Sequence, residues 1–262
     1  NDMTFTSAMH IAGANDKMNI VNFSFDPEEK YTFWSGITGG FFLALAYFGT
    51  DQSQVGRYLS GRSVKESQMG LIMNGLLKVP MQFFILLTGV MVFVFFQFNP
   101  VPLNFNPNNK EMIEKSAFKG EYNDLEKKLE DLSEDKKVIN LLYIDQLNQD
   151  YDNPTLRKEL VTLSNKEKDL RDRAKEIILK ADSNSETNDK DYVFFHFILN
   201  YLPKGLIGLL LAVIISAAMS STASGLNALA STTAIDIYKR NLKEEKSEKH
   251  YLYATRFFTL LW

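Results

Sequence analysis

The stretch LIGLLLAVIISAAMSSTASGLNALASTTAIDIY, Leu206–Tyr238, is long and apolar enough to cross a bilayer, and it carries two adjacent serines near its centre. An α-helix rises about 1.5 Å per residue, so this stretch is longer than the hydrocarbon core of a bilayer, which is about 30 Å thick. Its first charged residue, Asp236, comes close to its end. The stretch is therefore predicted to form a tilted transmembrane helix.

Small and hydroxyl side chains line one face of this predicted helix. They are spaced i, i+3, i+4 and i+7, and they are Ala217, Ser220, Ser221 and Ser224. Two interpretations remain open. In the first, the small side chains let a neighbouring helix approach closely, and the hydroxyls bond back to backbone carbonyls. In the second, the two adjacent serine hydroxyls and the Ala217 carbonyl bind a hard monovalent cation, and another segment supplies the remaining oxygens.

The average composition conceals a division of charge along the chain. The 262 residues are 45% hydrophobic and carry a net charge of -3, as in an ordinary soluble protein. However, segments 31–56, 70–98 and 192–235 are nearly free of charge, whereas 104–191 holds most of the Asp and Glu. Without cysteine the chain has neither disulfides nor thiolate metal sites, and no signal peptide is predicted from its first residues. The chain opens with Asn1 rather than Met and stops at Trp262 inside an apolar run, which predicts a fragment of a longer membrane protein.

The charge-poor segments predict three transmembrane helices and the start of a fourth, at 31–56, 70–98, 204–238 and 251–262. The two short connections between spans are basic, and the positive-inside rule places them in the cytoplasm. These connections are 57–69 and 239–250. The remaining segments, an N-terminal loop and a charged insert, are then extracellular, at 1–30 and 99–191.

The insert shows leucines at helical spacing on both sides of a turn-like NQDYDNP, Asn148–Pro154. This pattern predicts an antiparallel helical hairpin. A disordered linker is the alternative, because the charge is dense and the apolar positions are few. If it is a self-contained hairpin, the insert is expected to be dispensable for the membrane core. The amphipathic segment 192–203 that follows ends at a proline and is predicted to be an interfacial helix, with His196 as an interfacial side chain.

Two polar side chains in the predicted spans require an explanation. Lys78 interrupts the second span, and an intramembrane ammonium by default faces a wet cavity or a partner. The alternative is snorkelling of Lys78 to the cytoplasmic headgroups. Pro80 favours a distorted, cavity-lining stretch nearby. Tyr47, near the cytoplasmic end of the first span, is either an interfacial anchor or a functional position.

Two stretches resemble the sodium/solute symporter family, which includes sodium/glucose, proline, pantothenate, sialate and iodide/monocarboxylate cotransporters. They are YTFWSGITGGFFLALAYFGTDQSQVGRYLSGRSVKES (31–67) and LPKGLIGLLLAVIISAAMSSTASGLNALASTTAIDIYKR (202–240). The resemblance covers about 31–98 and 192–240, and the insert has no recognised counterpart. It implies an all-α membrane protein, in which the spans are the sixth to eighth helices of the ten-helix inverted-repeat core of the leucine-transporter fold.

The resemblance also implies roles for individual residues. The Ala217 carbonyl, Ser220 and Ser221 match the family's principal sodium site, and Ser224 matches one ligand of a second sodium site whose other ligand position is Ala223 here. Tyr47 matches a gating aromatic and Lys78 a substrate-proximal lysine of sugar-transporting members. However, Ala44 replaces the amide residue that those members use to bind sugar, and the QSQV-RYLS run is closer to the anion and vitamin branch.

The sequence therefore predicts a sodium-coupled secondary active symporter for a small polar solute, working by alternating access. An anion or vitamin carrier is an alternative substrate class, and a non-transporting sensor or scaffold with an extracellular interaction hairpin is an alternative of another class. The expected partners are sodium, the solute and the lipid bilayer, without nucleic acid, and the expected location is the plasma membrane or cell inner membrane, as a multi-pass protein. An enzyme is disfavoured, because no nucleophile, paired carboxylates or metal cluster occurs at a suitable spacing.

Overall fold

The computed structural model describes residues 3–19, 21–26, 32–59, 61–149, 151–242 and 245–262. Within these residues the regular secondary structure is entirely helical, which confirms the predicted all-α class. The chain forms two compact units. We call the described residues of 1–20 and 81–202 the insert unit, and those of 21–80 and 203–262 the span unit.

Ten α-helices follow one another in the described part of the chain. They are α1 (Phe5–Ala14), α2 (Phe33–Leu45), α3 (Gln52–Leu59), α4 (Val64–Phe95), α5 (Pro107–Glu114), α6 (Lys119–Leu147), α7 (Pro154–Ala181), α8 (Lys190–Tyr201), α9 (Lys204–Thr232) and α10 (Glu248–Leu261). Two π-helical turns directly continue α2 and α9, at Ala46–Thr50 and Thr233–Lys239.

Among the described residues, two helices are long and apolar enough to cross a membrane, Val64–Phe95 and Lys204–Lys239. The first begins earlier than the predicted span 70–98, because Ser63 Oγ accepts a hydrogen bond from the Glu66 N–H and Glu66 accepts one from the Arg62 N–H. These bonds satisfy N–H groups at the start of the helix, ahead of its apolar part. The second covers the predicted span 204–238.

The predicted first span, 31–56, is divided into two helices. A capping box between Thr32 and Ser35 starts α2, and the π-helical turn ends at Asp51, whose extended backbone (φ -72°, ψ 100°) leaves the helix. The Asp51 carboxylate then accepts hydrogen bonds from the N–H (2.9 Å) and hydroxyl (2.7 Å) of Ser53, which caps the start of α3. The single transmembrane helix expected here is therefore interrupted, and α3 occupies part of the predicted loop 57–69. Tyr31 lies outside the described residues.

The helices that precede and follow α9 also differ slightly from expectation. The predicted interfacial helix 192–203 is α8, which begins at Lys190 and ends before Pro203. The predicted start of a further span, 251–262, lies in α10, which begins at Glu248 after the cap Ser247. α10 packs against α9 and its π-helical extension, where the Trp262 indole N–H donates to Thr233 Oγ1 at 3.2 Å.

Two long helices, α6 and α7, occupy the region where the sequence indicated a hairpin, and they pack against each other. Their contacts form two apolar clusters. One is built around Leu103, Ile113, Tyr122, Leu125, Leu129, Ala174, Ile177 and Ile178. The other is built around Ala8, Ile11, Ala12, Ala14, Val94, Tyr143, Ile144 and Leu160. The first cluster pairs the start of α6 with the end of α7 and the second pairs the opposite ends, so the two helices are antiparallel.

An ion network lies between α6 and α7. Lys136 Nζ is 2.9 Å from Glu167 Oε2, and Arg171 Nε is 3.0 Å from Glu167 Oε1. Only 7% of the Lys136 side chain is exposed. Burial of Glu167 would raise the pKa of its carboxyl group, but the charges and hydrogen bonds of Lys136 and Arg171 outweigh burial and hold that pKa below its ordinary value. The sequence indicated only the density of charge in the insert and did not identify this network.

The two ends of the insert are held together. The Phe105 N–H donates to Asp189 Oδ2 at 2.8 Å, and Asn109 Nδ2 donates to the Glu186 carbonyl at 2.9 Å. Arg171 also donates to the carbonyls of Pro102 and Leu103. These bonds join the segment before α6 to α7 and to the segment that follows α7.

The N-terminal segment, predicted to be an extracellular loop over 1–30, contains α1 and contributes to the core of the insert unit. Ile11 and Ala12 are fully buried against the cluster that contains Tyr143 and Leu160, and Ser164 Oγ donates to Asn15 Oδ1 at 2.7 Å. The expectation that the insert can be removed at low cost is therefore corrected. Removing α6 and α7 would expose the apolar face of α1. Local sequence patterns do not reveal this packing, because it joins distant parts of the chain.

We expect Ile11→Ala to destabilise the insert unit by about 2 to 5 kcal/mol, because it leaves a cavity at a fully buried position. The matched control is Phe5→Ala in the same helix, where the side chain is 61% exposed and the expected change is about 0.5 kcal/mol or less. Limited proteolysis of the intact protein measures the difference. Equal cleavage rates for the two variants would show that α1 is not held in this core.

Candidate functional site

The predicted sodium ligands lie together on α9. Ala217, Ser220 and Ser221 belong to an unbroken α-helix, so the i, i+3, i+4 spacing does bring their oxygens onto one face. All three residues are exposed within the span unit. The Ala217 carbonyl accepts the helical N–H of Ser221 and keeps a second lone pair. The arrangement can provide three neutral oxygens to a cation that is also contacted by another segment.

Ser224, the predicted ligand of a second sodium, is engaged with α3. Its hydroxyl donates to the Ser53 carbonyl at 3.2 Å and accepts from Arg57 Nε at 3.1 Å. A sodium ion at Ser224 would therefore meet a guanidinium at close range, which repels it. In the conformation described, this contact favours close helix packing, rather than ion binding, as the role of Ser224.

Tyr47 and Lys78 are brought together in the span unit. Lys78 Nζ lies 5.5 Å from the centroid of the Tyr47 ring, within the range of a cation–π interaction. Tyr47 lies in the π-helical turn that precedes Asp51, and its hydroxyl donates to Gln54 Oε1 at 3.0 Å. Pro80 lies inside α4, where the helix continues on both sides. The two candidate gate residues thus form one constellation with Gln54.

Three residues of this region escaped the sequence reasoning: Ser53, Gln54 and Arg57. All three lie on α3, and each is hydrogen-bonded to a candidate site residue. Ser53 and Arg57 bond to Ser224, and Gln54 bonds to Tyr47. The available signal was the DQS run at residues 51–53, in which an aspartate precedes a serine at the spacing of a helix cap. That signal would have separated α3 from α2.

Comparisons with known proteins agree with the resemblance seen in the sequence. A model of the sodium:solute symporter family matches residues 178–262, which include α8, α9 and α10. The sodium/iodide cotransporter of Homo sapiens is 34% identical over 64 residues, 24% of this chain and 10% of the relative. Sodium-coupled monocarboxylate transporter 2 of Mus musculus is 33% identical over 70 residues, 27% of this chain and 11% of the relative.

A third relative, sodium-coupled monocarboxylate transporter 1 of Homo sapiens, is 38% identical over 58 residues, 22% of this chain and 10% of the relative. The matches thus cover about a tenth of the length of these curated relatives. No solved structure matches the chain significantly. The matched family segment contains the serine-bearing helix α9 in full. Residues 178–262 of the chain are thus similar to the sodium:solute symporter family, a family of membrane transporters and not of enzymes.

Proposed function

We propose that this chain is part of a sodium-coupled symporter that takes up a small polar solute by alternating access. The observation that carries the proposal is the stripe of oxygens on α9 (Ala217, Ser220 and Ser221), which lies inside the segment that matches the symporter family. Sodium is the cotransported ion. Its binding would tie α9 to a further segment of the carrier and favour the state that accepts the solute from outside, so that sodium and solute affinities are linked.

The proposed principal site takes one sodium at Ala217, Ser220 and Ser221. We do not extend it to a second sodium at Ser224, because Arg57 is hydrogen-bonded to that hydroxyl. A single positive charge needs little neutralisation, which suits a site of neutral oxygens in a membrane helix. The chain is proposed to lie in the plasma membrane or cell inner membrane as part of a multi-pass protein, with the basic segments 57–69 and 239–250 in the cytoplasm and the insert outside.

The proposed solute is a small anion or a vitamin-like carboxylate rather than a sugar. The ammonium of Lys78, held over the Tyr47 ring, offers a positive charge to an anionic solute. Ala44 has no polar group to hydrogen-bond a sugar hydroxyl. The relatives are named for iodide and monocarboxylate transport, and a further relative is the putative sodium-dependent multivitamin transporter of Drosophila melanogaster, 36% identical over 61 residues.

Uptake into proteoliposomes tests this proposal. The full-length carrier is reconstituted, and uptake of labelled iodide, lactate, biotin and glucose is measured with an inward sodium gradient or with choline in place of sodium. We expect uptake of one of the anions to require sodium and to fall about tenfold or more in Lys78→Gln, since one charge-assisted contact contributes about 1.5 to 3 kcal/mol.

Lys65→Gln, which removes a charge from the cytoplasmic end of α4, is the matched control and is expected to retain uptake. Sodium-independent uptake, or uptake of none of these solutes, would refute the symporter proposal. Sodium-driven glucose uptake would refute only the proposed solute class.

A further inference from the structure

We propose that α3 transmits sodium binding at the α9 stripe to the Tyr47–Lys78 constellation, and that Arg57 and Ser224 are the positioning residues of this coupling. The proposal rests on the proposed symporter function and adds a mechanism to it. Neither Arg57 nor Ser224 needs to touch the ion or the solute. Each acts by holding α3 against α9.

On one side, α3 is bonded to the helix that carries the proposed sodium ligands. Ser224 lies three residues after Ser221 on the same stripe, about 4.5 Å along the helix axis. Its hydroxyl bonds to both Ser53 and Arg57, which are one turn apart on α3. A change in the position of this turn of α9 must therefore either move α3 or break both hydrogen bonds.

On the other side, α3 is bonded to the candidate solute position. Gln54 accepts the hydrogen bond of the Tyr47 hydroxyl, and the Tyr47 ring is the surface on which the Lys78 ammonium lies. Tyr47 belongs to the π-helical turn, which Asp51 separates from α3. The chain can therefore change direction at Asp51, so that a displacement of α3 changes the position of Tyr47 without unfolding α2.

The C-terminal end of α3 is held by two contacts, so that α3 can tilt about this end as a rigid helix. The Tyr58 ring stacks on Phe48, with ring centroids 6.0 Å apart, and the Tyr58 carbonyl accepts a hydrogen bond from Ser67 Oγ in the first turns of α4. Both ends and one face of α3 are thus held by named contacts. Discrete packed elements of this kind can carry coupling between two sites.

The charge of Arg57 adds an electrostatic part to the coupling. Its guanidinium is hydrogen-bonded one turn from Ser220 and Ser221, so it lies close enough to a bound sodium to repel it. Sodium binding therefore changes the energy of the Arg57–Ser224 contact. By linkage, a change at that contact changes the affinity for sodium by the same factor.

A cysteine at Gly56 reports on the contact between α3 and α9 without requiring a known solute. Gly56 shares a face with Ser53 and Arg57, and a side chain added there meets no other atom within 4 Å. The purified full-length carrier, otherwise free of reactive thiols, is modified with N-ethylmaleimide in sodium chloride or in choline chloride of equal concentration. Because bound sodium repels Arg57 and loosens α3 from α9, we expect sodium to accelerate modification of Gly56→Cys by about fivefold or more, the lower end of typical coupling factors.

In the presence of Arg57→Gln or of Ser224→Ala, the sodium effect is expected to fall below about twofold. Arg62→Gln is the matched control, because it removes a positive charge from the same connection without touching Ser224, and it is expected to retain the effect. Binding of labelled sodium is measured on every variant. A substitution that merely disrupts the structure would reduce sodium binding together with the sodium effect on Gly56→Cys, whereas a loss of coupling removes the effect while sodium still binds.

The outcomes distinguish this proposal from the symporter proposal. If the unmodified carrier binds no sodium, the symporter proposal fails. If it binds sodium but sodium leaves the modification of Gly56→Cys unchanged or makes it slower, only the coupling role of α3 fails. The same conclusion follows if the effect persists in both Arg57→Gln and Ser224→Ala, or if Arg62→Gln also abolishes it.

Discussion

Replacing Ser221 or Ser220 with alanine in the full-length carrier is expected to raise the sodium concentration that gives half-maximal uptake by about 5- to 150-fold. The reason is the loss of one of the few oxygen ligands of the ion, since an unmade polar contact of this kind costs about 1 to 3 kcal/mol. Both serines lie in the unbroken part of α9, on the face that also presents the Ala217 carbonyl. Sodium activation curves for uptake measure the change, and surface expression is measured in parallel.

Thr222→Val is the matched control for these variants. Thr222 adjoins Ser221 in sequence but lies about 100° away around the helix, on a different face. The Thr222→Val substitution removes a hydroxyl from the same turn and is expected to leave sodium activation unchanged. An unaltered sodium dependence in both serine variants, or an equal loss in Thr222→Val, would rule out the proposed site and favour close helix packing as the role of the stripe.

A large stability effect is also expected in the insert unit from Glu167→Gln. The substitution leaves Lys136 and Arg171 without their carboxylate partner, and Lys136 is almost fully buried. Removing one partner of a buried ion pair costs about 3 to 5 kcal/mol. We expect about 3 kcal/mol here, the lower end of that range, because 22% of the Glu167 side chain is exposed. Limited proteolysis of the insert in the intact carrier measures the population of the opened form.

Glu111→Gln is the matched control, because the Glu111–Lys115 pair is also a carboxylate–lysine pair but is 67% and 73% exposed. Exposed pairs contribute about 0 to 1 kcal/mol, so this variant is expected to resemble the unmodified protein. Similar proteolysis of the two variants would mean that the ion network contributes no more than a surface pair.

The same network predicts a pH dependence for the insert unit. The pKa of Glu167 is lower in the folded protein than in the unfolded chain. Its contribution to stability is therefore present above the unfolded pKa and is lost as the pH falls through the folded pKa. Protection of the insert from proteolysis should decrease on acidification in the unmodified protein, and the decrease should be smaller in Glu167→Gln.

The sequence by itself was sufficient for features that depend on neighbours along the chain. The length and apolar character of Leu206–Tyr238 predict a membrane-spanning helix, and α9 with its extension has that length and character. The spacing of Ala217, Ser220 and Ser221 places three oxygens on one face of any α-helix that contains them. The high charge of the insert, with leucines at helical spacing, predicted helices there, and α6 and α7 occupy that region. Local periodicity and composition decide such features before any tertiary contact is made.

The tertiary structure alone decided which distant residues meet. Arg57 and Ser224 are 167 residues apart in sequence, and no local pattern pairs them. Ile11 lies in a short apolar patch of an otherwise polar N-terminal segment, and only the packing of α1 on α6 and α7 buries it completely. Lys136 and Glu167 occur among many alternating charges, and only the packing of α6 on α7 removes this pair from water. Burial and long-range hydrogen bonds depend on the whole fold, whereas helix length and helix face depend on a few turns of chain. The sequence therefore predicted the long helices and the candidate sodium stripe, and only the tertiary structure revealed α1, the break before α3 and the contact of α3 with that stripe.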